Sequence, residues 1–213
     1  MMNGVWFDDI HSYNDLNLIL SAVEIAPASP KTKFVDIPGA DGSVDLTEAL
    51  GEIRFSDRKC TFTFTCLPTD DFEVKKREVS NAINGKRMSI RLDKDPDYQW
   101  DGRCYIDKYK SDKNLNKITI GATVSPYKMK TTETQVEVSA GTSVSKTLVR
   151  NCRKPIVPTI ITTADATVVF GENTYSLNAG THKLLGISLA AGNNTITVTS
   201  TGTTTIKYQE GDL

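Results

Sequence analysis

The chain has 213 residues, with 25 Lys and Arg against 26 Asp and Glu, for a net charge of -1. Its 38% hydrophobic and 24% charged residues form an ordinary globular balance, and the length suits one large or two small domains. Near-neutrality argues against the concentrated basic face of a sequence-specific nucleic-acid binder. No apolar run approaches the roughly 20 residues that cross a bilayer. The start, Met1-Met2-Asn3-Gly4-Val5-Trp6-Phe7, lacks the basic and apolar stretches of a secretion signal. No membrane partner is expected, and the chain is expected to fold in the cytoplasm of the cell that makes it.

Leu16 to Ile25 and Phe34 to Ile37 read as strands, and Pro38-Gly39-Ala40-Asp41-Gly42 reads as a turn between extended segments. The clearest strand is Arg58 to Leu67. There Cys60, Phe62, Phe64 and Cys66 point one way and Thr61, Thr63 and Thr65 the other, the period of a half-buried strand. A helix follows, capped by Asp70 or Asp71, with Phe72, Val79, Ala82 and Ile83 as its apolar stripe and Gly85 at its end. Met88 to Leu92 and Ile118 to Val124 alternate as strands, and Cys104 and Ile106 share one face of a strand between them.

Charge density falls sharply near residue 130. From Thr131 onward the chain carries six basic and six acidic residues and becomes rich in Thr, Asn and Gly. Pro126 and the polar stretch Lys128 to Glu133 make this a natural boundary, giving expected domains at 1–130 and 131–213. The second domain shows short strand-like pieces at Gln135–Val138, Ile156–Thr162, Ala166–Phe170, Asn173–Leu177, Thr195–Ser200 and Thr203–Tyr208. Turns at Gly171-Glu172-Asn173 and Ser200-Thr201-Gly202, with no helical period, predict a β-sandwich. The fold class expected is therefore mainly β: a β-rich first domain, barrel or sheet, with one helix, followed by a sandwich.

No motif for chemistry assembles. His11 and His182 fall in different expected domains, and His182 follows Gly180-Thr181 in an expected loop, so it reads as a surface histidine. Asp93-Lys94-Asp95-Pro96-Asp97 opens like a calcium loop. However, Tyr98 and Cys104 occupy the positions that need Gly and Glu, so a solvated turn is expected. Pro38 to Ser43 lacks the Lys of a P-loop, and Lys75-Lys76-Arg77, interleaved with Glu73 and Glu78, reads as the solvated face of its helix. Cys60, Cys66, Cys104 and Cys152 have no CxxC spacing. Cys60 and Cys66 on one strand stand roughly 20 Å apart, beyond disulfide reach, so buried free thiols are expected. No catalytic residue, cofactor or metal site is expected, and the chain reads as a structural or binding protein rather than an enzyme. A carbohydrate-binding module on a β-rich scaffold is the alternative. Sugar platforms rely on exposed aromatic rings, and the second domain offers only Phe170, Tyr175 and Tyr208.

Asn3-Gly4-Val5-Trp6-Phe7-Asp8-Asp9, Ile37-Pro38-Gly39-Ala40-Asp41-Gly42 with Val44-Asp45-Leu46-Thr47, the Phe62/Phe64 strand, and the helix ending Ile83-Asn84-Gly85 follow one another along the chain. Taken in that order, these segments resemble the distal tail protein (Dit) family of siphophages. Tyr98 to Ile106, Val124-Ser125-Pro126-Tyr127 and Ala191 to Val198 are similar too. The resemblance implies an N-terminal domain that forms a hexameric ring at the tail tip and a C-terminal galectin-like sandwich outside it. The implied partners are further copies of the chain, the tail tube protein, the tape-measure protein and a tail-associated hub or lysin protein. The implied location is the virion tail tip of a phage or prophage, with the ring around the DNA exit channel. Val5, Phe7, Pro38, Gly39, Asp41 and Gly42 are the expected ring-contact residues.

Overall fold

In the computed structural model, residues 4–49, 51–67, 71–111, 115–150 and 152–213 are described. Asn3 and the alternative helix cap Asp70 fall outside them. The chain divides into two compact units, Met1–Lys128 and Met129–Leu213.

The first unit contains β1 (Val5–Phe7), β2 (Ile10–His11), β3 (Leu18–Ile25), β4 (Phe34–Asp36), β5 (Ser43–Asp45), β6 (Arg58–Cys66), α1 (Phe72–Ile83), β7 (Arg87–Leu92), β8 (Asp95–Ser111) and β9 (Asn116–Val124). Seven strands pair antiparallel in the order β2-β1-β7-β8-β9-β6-β3, while β4 and β5 pair only with each other. On β6 the predicted alternation holds: Cys60, Phe62, Phe64 and Cys66 are buried and the threonines between them half-buried. Phe7 meets Phe62 edge-on at 5.9 Å and Phe64 at 6.4 Å, the geometry that ring quadrupoles favour. Such burial of apolar surface, worth about 25 cal/mol per Å², is what holds the layers together.

The helix begins where Asp71 accepts the backbone N–H groups of Glu73 and Val74, satisfying two of the donors a helix start leaves free. Val79 and Ile83 enter the core with Phe72 and Ala82 packed beside them, the stripe that was expected. Asn84 closes the helix, and its side-chain oxygen accepts the N–H of Ile106 at 3.0 Å, tying the helix to β8. Lys75 departs from its expected place on the solvated face. Its side chain is only 9% exposed, and its ammonium reaches Glu78 at 2.7 Å. The long stem covers core apolar surface while the charge meets a carboxylate near the rim.

The second unit, whose first strand begins one residue earlier at Lys128, contains β10 (Lys128–Lys130), β11 (Thr134–Val138), β12 (Gly141–Arg150), β13 (Thr159–Thr162), β14 (Ala166–Phe170), β15 (Asn173–Leu177), β16 (Gly180–Lys183), β17 (Gly192–Ser200), β18 (Thr204–Tyr208) and β19 (Gly211–Asp212). Two four-stranded antiparallel sheets, β11-β18-β13-β16 and β12-β17-β14-β15, share one core. Ile160 and Ile206 from the first sheet face Val168, Ile196 and Val198 from the second, as the sandwich reading predicts. Four strands of this unit were not foreseen: the short β10 and β19, and the longer β12 and β16. The edge strand β12 is largely exposed and lacks a clean alternation. In place of the loop expected at Gly180-Thr181-His182 stands β16, paired residue by residue with β13.

Candidate functional site: an exposed two-stranded arm

Between β3 and β6 the chain leaves the sheet and returns. At the base of this excursion, Ala26 N–H donates to Lys59 O, Ser56 N–H to Ser29 O, and Lys31 N–H to Arg54 O, all at 2.8–2.9 Å. Phe55 stacks edge-on against Tyr127. Farther out, β4 and β5 pair in the register Phe34↔Asp45, Val35↔Val44 and Asp36↔Ser43. Lys33 N–H donates to Thr47 Oγ1, Leu46 N–H to Lys33 O, and Ser43 Oγ to Asp36 at 2.6 Å. Hydrogen bonds from the Thr47 side chain and then its backbone hold the Asp45 carboxyl below its ordinary range.

The tip is the predicted turn. Gly39 and Gly42 have φ of 83° and 76°, conformations in which a Cβ would be strained, which is why glycine stands there. Pro38, Gly39, Asp41 and Gly42 are all exposed on it.

The arm has two chemically different faces. Strand alternation places Val35 and Val44 on one, with Ile37 and Leu46 next in the same period. These four are 39%, 44%, 50% and 38% exposed. The other face carries Phe34, Asp36, Ser43 and Asp45, with Phe34 58% exposed. A two-stranded hairpin alone in water is at best marginal, and this one leaves four apolar side chains of one face partly open to solvent.

The other two expected contact residues lie elsewhere. Val5 and Phe7 are both 0% exposed in the core, on β1, which is flanked by β2 and β7. Their side chains pack inward and the strand has no open edge, so neither can meet a neighbour directly. Among the described residues, the long edge open to pairing is β3, which pairs only with β6 and exposes Val23 and Ile25 at 37% and 36%.

The residues weighed for chemistry have structural partners. The acidic run is not a free solvated turn. Asp93 and Lys94 form the bend between β7 and β8, and Asp93 accepts hydrogen bonds from Gly4 N (2.7 Å), Trp6 Nε1 (2.8 Å) and His11 Nε2 (3.1 Å). Burial pushes the Asp93 carboxyl up, but the bonds from His11, Gly4 and Trp6 outweigh it and hold it below its ordinary value. His11 is 4% exposed and its Nδ1 accepts the backbone N–H of Asn14 at 3.0 Å, so Nε2 carries the ring proton toward Asp93. Asp95 pairs with Lys128 at 2.7 Å. All four cysteines are free and buried, and desolvation raises the thiols of Cys60 to about 11 and Cys104 to about 12. In the second unit Tyr208 is buried and Phe170 and Tyr175 are half-buried against the core, which leaves little of a flat aromatic platform for a sugar ring.

No protein-family model matches the sequence, and no curated protein matches it either. Among solved structures, the crystal structure of Dit from phage SPP1 matches over 100% of both chains with a TM-score of 0.72 at 14% sequence identity. That protein is described as a paradigm of the hub adsorption apparatus in phages infecting Gram-positive bacteria. At that identity the likeness is one of fold, and from its first strand to its last the chain carries the distal-tail-protein fold.

Proposed function

We propose that the protein is a structural component of a phage tail tip, where copies of the first unit assemble into a ring. The ring joins the tail tube to the adsorption hub, and its closure as a hexamer is part of the same reading. What carries it is the arm: an apolar face of Val35, Ile37, Val44 and Leu46 on a hairpin paired only with itself. A head-to-tail contact repeated by rotation closes a ring, and a projecting arm with an apolar face suits such a contact. The open edge of β3 offers backbone donors and acceptors for the same purpose. The full-length fold likeness to a hub adsorption protein supports the setting. Its near-neutral charge fits a wall beside a DNA path, since a strongly basic lumen would hold DNA by counterion release.

Light scattering coupled to size-exclusion chromatography over a concentration series, followed by negative-stain imaging, tests this reading. Discrete oligomers with a central opening are expected. A monomer at every concentration up to the millimolar range overturns it.

A further inference from the structure

Most lysines that approach the body of the protein are paired. Lys75 meets Glu78, Lys76 meets Glu73, Lys128 meets Asp95 and Lys130 meets Glu210. A groove of about 480 Å³ in the second unit holds two lysines, Lys183 and Lys207, without such a pairing among the described residues. Its walls include Lys154, Lys183 and Lys207, its apolar lining includes Ile156, Val157 and Leu185, and Glu133 is its one carboxylate.

Register explains how two of these ammonium groups come together. Thr159 on β13 pairs with Lys183 on β16 and with Lys207 on β18, so the two lysines leave the same face of the sheet on either side of it. Their backbones stand two strand spacings apart, about 10 Å. Among the described residues, neither meets a carboxylate within ion-pair distance. Lys154 lies with its ammonium 3.4 Å from the Met129 sulfur, and burial lowers its pKa. Beside them Leu185 is 84% exposed, the most exposed large apolar side chain described.

We propose that this groove docks an acidic polypeptide segment of a partner protein, with carboxylates set against Lys183 and Lys207 and an apolar side chain packed on Leu185. Charge complementarity selects the partner. The ammonium groups of Lys183 and Lys207, neither matched by a carboxylate among the described residues, favour an anion, and the apolar strip favours a peptide over a sugar or a bare phosphate polymer. The proposal concerns the second unit alone and does not depend on ring formation, so failure of either leaves the other standing.

The test is fluorescence anisotropy of the full chain with a labelled short peptide of alternating Glu and Leu, at low and physiological salt. Saturable binding that weakens with salt is expected, together with roughly a tenfold loss in the K183E/K207E variant. Leu185→Ser is expected to weaken binding by roughly threefold without changing its salt dependence. Lys183 and Leu185 are exposed and Lys207 is half-buried at the groove, outside the core, so the unfolding midpoint of each variant should match that of the parent. Three outcomes each overturn the proposal: no binding at millimolar peptide, equal binding by the K183E/K207E variant, or equal affinity for an oligo-dT of the same charge.

Discussion

Replacing Val35 and Val44 by serine tests the arm where its two strands meet. The two side chains are directly paired and 39% and 44% exposed, so together they present a little over four-fifths of one valine surface. Burying a whole valine-sized side chain is worth about 1.5–3 kcal/mol, so docking this pair contributes about 1.2–2.5 kcal/mol per arm. Their loss should therefore weaken each subunit contact roughly eightfold to seventyfold. The monomer should barely notice, because neither side chain belongs to the core of the first unit. Sedimentation velocity across a dilution series reads the first effect and chemical denaturation of the monomer the second. A variant that assembles at the parent's concentration refutes the assignment of this face to the subunit contact. A variant that loses more than about 2 kcal/mol of monomer stability shows instead that the arm is part of the fold's own packing.

Four further outcomes follow from the same geometry. Asp93→Ala removes the acceptor for Gly4, Trp6 and His11 and should cost about 2–3 kcal/mol in urea unfolding at neutral pH. Because the folded Asp93 carboxyl lies below its ordinary 3.8, its contribution is complete above that value and fades as pH falls through the folded one. Parent and variant should therefore converge in acid, and a gap that persists there contradicts the assignment. Gly102→Ala should destabilise by several kcal/mol, since a Cβ there overlaps the Thr123 carbonyl and comes within 2.7 Å of the Val124 Cα on β9. Unchanged thermal unfolding of this variant would falsify that close approach. At pH 8 the thiols of Cys60 and Cys104 should resist a disulfide reagent until denaturant is added, because burial keeps them protonated and covered. Lys75→Met should change stability by no more than about 1 kcal/mol, since the stem is kept and the ion pair lies near the rim. A loss above about 3 kcal/mol would mean that the charge itself holds the helix.

Much of the fold was legible because burial leaves a periodic trace. The alternation on β6, the cap at Asp71, the stripe of Val79 and Ile83, and the glycine turn at the arm's tip each need only a few neighbouring residues to be read. Strand β12 left no such trace, because an edge strand with one wet face can take Thr, Ser and Lys almost throughout. The extent of β8 was hidden likewise: its first residues, Asp95-Pro96-Asp97, have the composition of a turn, yet a two-residue bend at Asp93-Lys94 sends them straight into pairing.

Local sequence determined that this is a mainly β chain with one helix, a polar second half and a glycine turn near residue 40. Tertiary structure decided which of those features are available to a partner. Val5 and Phe7 look like any hydrophobic pair until β2 and β7 close around their strand. Val35 and Val44 look the same until β4 and β5 pair only with each other. The buried imidazole of His11 depends on Asp93, 82 positions away, and the buried stem of Lys75 on a core assembled from distant strands. Exposure is a property of what packs against a residue, and those neighbours come mostly from elsewhere in the chain.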